Sequence, residues 1–236
     1  MGLFGAIVGA ISSAGSALVG ALSSLGTAVS TFVTGIADTI GTVLDRLGPV
    51  AEALGRFANA FLQGLGILKP DEKIEDMGER ALQAAEHGTT PDKYENFDQY
   101  MDALRNFEID PEKAKQRSTA EKLTAGLAIA TPALEDKFHY DRGVLNSLWL
   151  LPMTNPEFFT PERMQSIIAT GRFAGNVFEY LEQKLSGKGM DKLSESIADG
   201  LPASDPAKES VNDALENARG HWESIKSQIA DQRSNG

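Results

Sequence analysis

Residues 1–47 read MGLFGAIVGAISSAGSALVGALSSLGTAVSTFVTGIADTIGTVLDRL, and no charged side chain precedes Asp38. At about 1.5 Å per residue, an unbroken helix of that charge-free stretch measures ~55 Å, against ~30 Å for the hydrocarbon of a bilayer. Length therefore permits a membrane span. Composition is less favourable, because Gly, Ala, Ser and Thr prevail over Leu and Val and make the stretch only marginally hydrophobic.

The pattern is helical. Phe4, Ile7, Ile11, Leu18, Leu22, Leu25, Val29, Phe32, Ile36, Ile40, Val43 and Leu47 follow one another at steps of three, four or seven, which places them on one stripe. Two series of small residues run beside it: Gly5, Gly9, Ser13, Ala17 and Ala21, and Ser12, Ser16, Gly20, Ser24 and Ala28. Such rows let helix backbones approach closely where lipid removes the hydrophobic drive. Gly5, Gly9, Ser13, Gly15, Ser16, Gly20, Ser24 and Gly26 are accordingly the expected positions of membrane insertion and helix packing. Asp38, Asp45-Arg46 and then Gly48-Pro49 mark the end of this first helix, with Gly48 and Pro49 as a hinge. A second amphipathic helix over 51–68 follows, with Leu54, Phe57, Phe61 and Leu65 on one side. The two form a Gly/Ala-rich helical hairpin. The competing reading is a glycine- and alanine-rich helix buried inside a soluble assembly.

Charge divides the chain at the same place. Of 22 Lys plus Arg and 33 Asp plus Glu, residues 1–69 hold three of each, so residues 70–236 carry the entire net charge of −11. Twelve of the 23 glycines also fall in the first 69 residues. Two regions are expected: a neutral membrane-active hairpin over 1–69 and an acidic α-helical domain over 70–236. The negative balance excludes nucleic acid as the natural partner, since phosphates need a positive face. The absence of cysteine excludes disulfide scaffolds, thiolate metal sites and cysteine nucleophiles.

Caps and 3.6-residue periodicity recur through the acidic part, and the fold class is all-α, a helical hairpin followed by a multi-helix bundle. The spacing predicts helices over 71–86, from Thr90-Pro91 through Phe107, from Asp110-Pro111, and from Ser118-Thr119 to a stop near Pro132. A short helix around 144–151 is expected next. A long one then runs from Thr160-Pro161 through Leu185, and a last one over 205–232. The aromatic run from Tyr94 to Phe107 has helical spacing and reads as core.

Catalytic signatures are missing. No G-x-S-x-G, P-loop, G-x-G-x-x-G, H-E-x-x-H or EF-hand loop is present, and His87, His139 and His221 lack metal-ligand spacing. The expectation is no enzyme, no cofactor and no metal. The single local polar knot is His139 with Tyr140, Asp141 and Arg142.

Gly2-Leu3-Phe4-Gly5-Ala6-Ile7, extended to Gly9 and Ile11, resembles the start of the influenza haemagglutinin fusion peptide, a Gly-spaced apolar N-terminus that partitions into bilayers. The layout of residues 1–68 is similar to that of glycine-zipper pore-forming effectors delivered by bacterial type VI secretion systems, or to a phage ejection protein. No motif of such families stands in 70–236.

The resemblance implies a membrane-active protein that inserts its N-terminal helices into target membrane lipids, self-associates there and dissipates ion gradients. It implies a loader, chaperone or secretion-tube partner and an immunity protein. No basic residue precedes the apolar run, the first being Arg46, and Ala6 stands where myristoylation needs Ser or Thr. The expected course is synthesis in the cytoplasm without a cleavable signal, then secretion or injection. The alternatives are a structural virion or tail component whose Gly/Ala-rich helices pack on protein, and a cell-wall hydrolase.

Overall fold

A computed structural model describes residues 13–234, and every regular element among them is helical, with no strand. The chain is all-α. In order come α1 (Ser13–Ser23), α2 (Thr27–Arg46), α3 (Gly48–Gly64), α4 (Ile74–Glu86), α5 (Phe97–Asn106) and α6 (Pro111–Gln116). Then follow α7 (Thr119–Phe138), α8 (Leu150–Thr154), α9 (Pro161–Ala169), α10 (Val177–Leu181), α11 (Gly187–Gly200) and α12 (Val211–Ser234). Single 3₁₀ turns cover Pro91–Lys93 and Pro206–Ser210.

Local chemistry sets many of these starts. Asp110 caps α6 by accepting from the N–H groups of Glu112 and Lys113. Ser118 and Glu121 form a reciprocal capping box on α7. Thr160 caps α9, with Pro161 in its first turn.

Elsewhere the chain departs from its local signals. The first helix is not one rod: α1 and α2 are separated at Ser24–Gly26, where Gly26 takes φ +99°. Thr90-Pro91 starts only a 3₁₀ turn, and α5 begins six residues later because Asn96 supplies the cap to Gln99 N–H. Tyr94 therefore precedes the helix.

Pro132 does not stop α7, which continues to Phe138. The missing N–H costs a bond, but residues 120 and 123–135 are buried and packing outweighs it. The helix expected to run from Thr160 through Leu185 ends at Ala169. Left-handed Gly171 (φ +67°) and Gly175 (φ +116°) reverse the chain before Asn176 caps α10. The cap Ser186 and helix α11 had no counterpart in the sequence reading, because Gly187 and Gly189 disguise the first turn.

Packing centres on α7. It crosses α4 at a pair of glycines. A methyl on Gly78 would run into the Lys122 carbonyl and stand 2.6 Å from Gly126 N, and one on Gly126 would run into the Ile74 carbonyl. Trp149 fills the space between α7 and α3, edge-on to Phe61 at 5.7 Å, and its Nε1–H donates to Thr131 Oγ1 at 2.9 Å. Composition changes at Lys69-Pro70, yet the core does not. One buried cluster runs from Leu18 of α1 to Ile229 of α12.

Candidate membrane-active segment

Helices α1 and α2 hold the residues singled out by periodicity. Phe4, Gly5, Ile7, Gly9 and Ile11 lie outside the described residues, as does the fusion-peptide-like stretch. Ser13, Gly15 and Ser16 fall in α1, and Leu18 follows them in the same helix. From there the apolar stripe is continuous and covered: Leu18, Leu22, Leu25, Val29, Phe32 and Ile36 are all buried. They are brought together against α7 and between α1 and α2, in the bundle's own core.

The small series has a different fate. Gly20 is exposed, and a Cβ there would meet nothing within 4 Å, so no helix packs on it in this state. Ser24 is exposed, and Gly26 serves as a turn rather than a packing surface. Gly41, which was not among the expected positions, does make a close approach. Leu18 Cδ2 sits 2.5 Å from where its Cβ would be, and Thr124 Oγ1 lies 3.7 Å away. Gly48 and Pro49 open α3 directly after α2, with Leu47 (φ −121°, ψ 80°) as the single joint between the helices.

Helix α2 spans 20 residues; its most apolar 18-residue window has a mean hydropathy of 1.3, and half of that window is buried. The whole helix measures ~30 Å. Within α2 Thr34 Oγ1 donates to Ser30 O at 2.9 Å, and in α1 and the turn after it Ser23 Oγ donates to Val19 O at 2.7 Å and Ser24 Oγ to Ala21 O at 2.6 Å. A π-helical turn, Val33–Ala37, widens the middle of α2, and Gly35 within it borders a cleft of about 420 Å³ shared with Arg142, Gly143, Asn146 and Lys192.

The polar knot at the end of α7 serves the fold. His139 is the left-handed cap (φ 60°). Tyr140 OH donates to Ile168 O at 2.9 Å and accepts from Phe173 N–H at 3.1 Å. Arg142 pairs with Asp136 at 2.6 Å and Glu135 at 3.7 Å. Among the described residues, no group of three or more His, Asp or Glu is disposed to hold a metal ion.

Glu135 is buried, and its carboxylate accepts the N–H groups of Gly143 and Leu145 at 2.9 and 3.0 Å. Burial pushes its pKa up, against the pull of those N–H groups and of Arg142. The folded state thus binds this proton more tightly than the unfolded chain does. Its contribution to stability grows as pH falls from neutrality toward its raised pKa.

Two other carboxylates run the opposite way. Lys113 foremost, with Arg117, holds Glu86 below the ordinary range. Burial raises Glu72, but its bonds from Arg105 and Lys69 N–H outweigh this and lower it. Their contributions are lost as pH falls. The expected result for Glu135→Gln, from urea unfolding at several pH values, is that wild type gains on the variant as pH is lowered. A gap that stays constant or moves the other way overturns this account.

Compared with family models, curated proteins and solved structures, the chain matches none.

Proposed function

We propose that the chain is a membrane-active protein, pore-forming or membrane-penetrating, whose N-terminal helices leave the bundle and enter a target bilayer. The observation that supports this reading best is α2 itself: 20 residues that include an 18-residue window of mean hydropathy 1.3, with its apolar stripe stowed rather than exposed. The opposite face of α2 carries Thr27, Thr31, Thr34, Asp38, Thr42 and Asp45 at helical spacing, all at least partly exposed. Several such helices side by side would turn these hydroxyls and carboxylates toward a wet path, a lining that favours cations. Asp38, costly in lipid, has its place there. Delivery by a contractile secretion or phage-type injection machine fits this reading, as do a loader and an immunity partner that cover the helices in the producing cell.

Dye and monovalent-cation release from phospholipid vesicles at micromolar protein is the direct test, with leakage the expected result. Gly20→Leu gives the discriminating variant. Nothing stands within 4 Å of that position, so the soluble fold tolerates the side chain, whereas close helix approach in lipid does not. Leakage severalfold below wild type with a melting temperature no lower than that of wild type is expected. If wild type neither leaks nor pellets with vesicles, the second reading takes over. The buried stripe then belongs to a structural virion or tail component whose Gly/Ala-rich helices pack on protein.

A further inference from the structure

Helix α2 starts without a capping residue of its own. Position 26, where Ser, Thr, Asp or Asn would fold back onto the first free N–H groups, is glycine at φ +99° and offers no side chain. The cap comes from far along the chain. The Asp92 carboxylate accepts Thr27 N–H at 2.7 Å, the Thr27 hydroxyl at 2.6 Å and Ala28 N–H at 3.2 Å. A side chain on Gly26 would collide with Asp92 Oδ2 and stand 3.4 Å from Thr90 Cβ, so the left-handed turn and the approach of Asp92 both require glycine. Leu18, seated in the notch over Gly41, fastens α1 back along α2.

We propose that Asp92 is a clasp: it keeps residues 13–46 bent at Gly26 and stowed on the bundle, and its release lets α1 and α2 join into one helix of which α2 crosses the bilayer. This rests on the membrane-active reading above. The reason is a competition for hydrogen bonds. In the stowed form the N–H groups of Thr27 and Ala28 are given to Asp92. In hydrocarbon every backbone group must be satisfied within the segment. For these two groups the partners at helical spacing are the Ser23 and Ser24 carbonyls. Closing those bonds removes the bend and yields a helix of ~51 Å over 13–46. The same N–H groups cannot serve both states, so the clasped and straight forms exclude each other.

The chain has no cysteine, so Thr27→Cys with Asp92→Cys can be bridged selectively by a short reducible cross-linker. The probe is carboxyfluorescein release from vesicles of phosphatidylcholine and phosphatidylglycerol. The bridged protein is expected to release no more dye than a protein-free control, and reduction is expected to restore release. Asp92→Ala is expected to speed hydrogen exchange at Thr27 and Ala28 by roughly 2- to 30-fold, the worth of a lost cap, and to speed dye release as well.

Equal release before and after reduction overturns the clasp and leaves the membrane-active reading standing. No release from wild type, Asp92→Ala or the reduced double variant overturns both. Should Asp92→Ala fail to fold, the bridged and reduced forms still decide, because they carry identical substitutions.

Discussion

Gly126→Ala and Gly78→Ala each lower the stability of the chain by about 3 kcal/mol or more, a fall in melting temperature of roughly 6–12 °C. The added methyl meets backbone, not a pliable side chain: the Ile74 carbonyl in one case and the Lys122 carbonyl in the other. Relief requires α4 and α7 to move apart, and Ile74, Met77, Leu123 and Leu127, all buried there, lose contacts together. Gly20→Ala is the control. That glycine sits inside α1 with open space before it, so the substitution is expected to stabilise by about 0.5–1 kcal/mol. Calorimetry or thermal circular dichroism of the three variants reads both signs. A Gly126→Ala protein that melts with wild type would mean that α4 and α7 do not cross this closely.

Trp149→Ala is expected to cost about 3–5 kcal/mol, read from the midpoint of urea unfolding. The indole is fully buried between Phe61 and Thr131. Its loss leaves a cavity lined by helices that α7 holds apart. Trp149→Phe keeps most of the volume and gives up the N–H donated to Thr131. The Thr131 hydroxyl still donates to Leu127 O at 2.8 Å, so the expected cost is only about 1–2 kcal/mol. Equal costs for the two variants would show that the hydrogen bond, and not the volume, dominates.

What the sequence reveals depends on the range of the forces involved. Asp110, Ser118 with Glu121, and Thr160 state their helix starts within four residues, and these are legible because a cap is a local bond. The apolar stripe from Leu18 to Ile36 is legible for the same reason: periodicity alone marks the face that is buried. Which surface covers it is not local. Asp92 lies 65 residues from Thr27, and nothing in its own neighbourhood distinguishes it from other exposed acids. The bend at Gly26 was hidden likewise, since one glycine among many carries no mark of the partner that needs it. Pro132 shows the reverse error. The local rule for proline was sound, and burial along α7 overrode it. Among glycines, those in the conspicuous N-terminal series that can be placed stand at open surface or in a turn, whereas Gly78 and Gly126, isolated in the acidic part, make the tightest helix crossing.

The order of the elements also has a consequence in time. Everything that shelters α2 from water, apart from α1, follows it in the chain: α3 begins at Gly48, the clasp is at Asp92, and α7 runs from Thr119 to Phe138. At synthesis rates of about 5–20 residues per second, α7 is complete roughly 5–18 s after Arg46. During that interval the stripe from Leu18 to Ile36 has no core to enter. Any bilayer or apolar binding groove nearby then competes with the bundle for the same residues. The stowed state of the folded protein is thus preceded by seconds in which its helices have nothing to be stowed against.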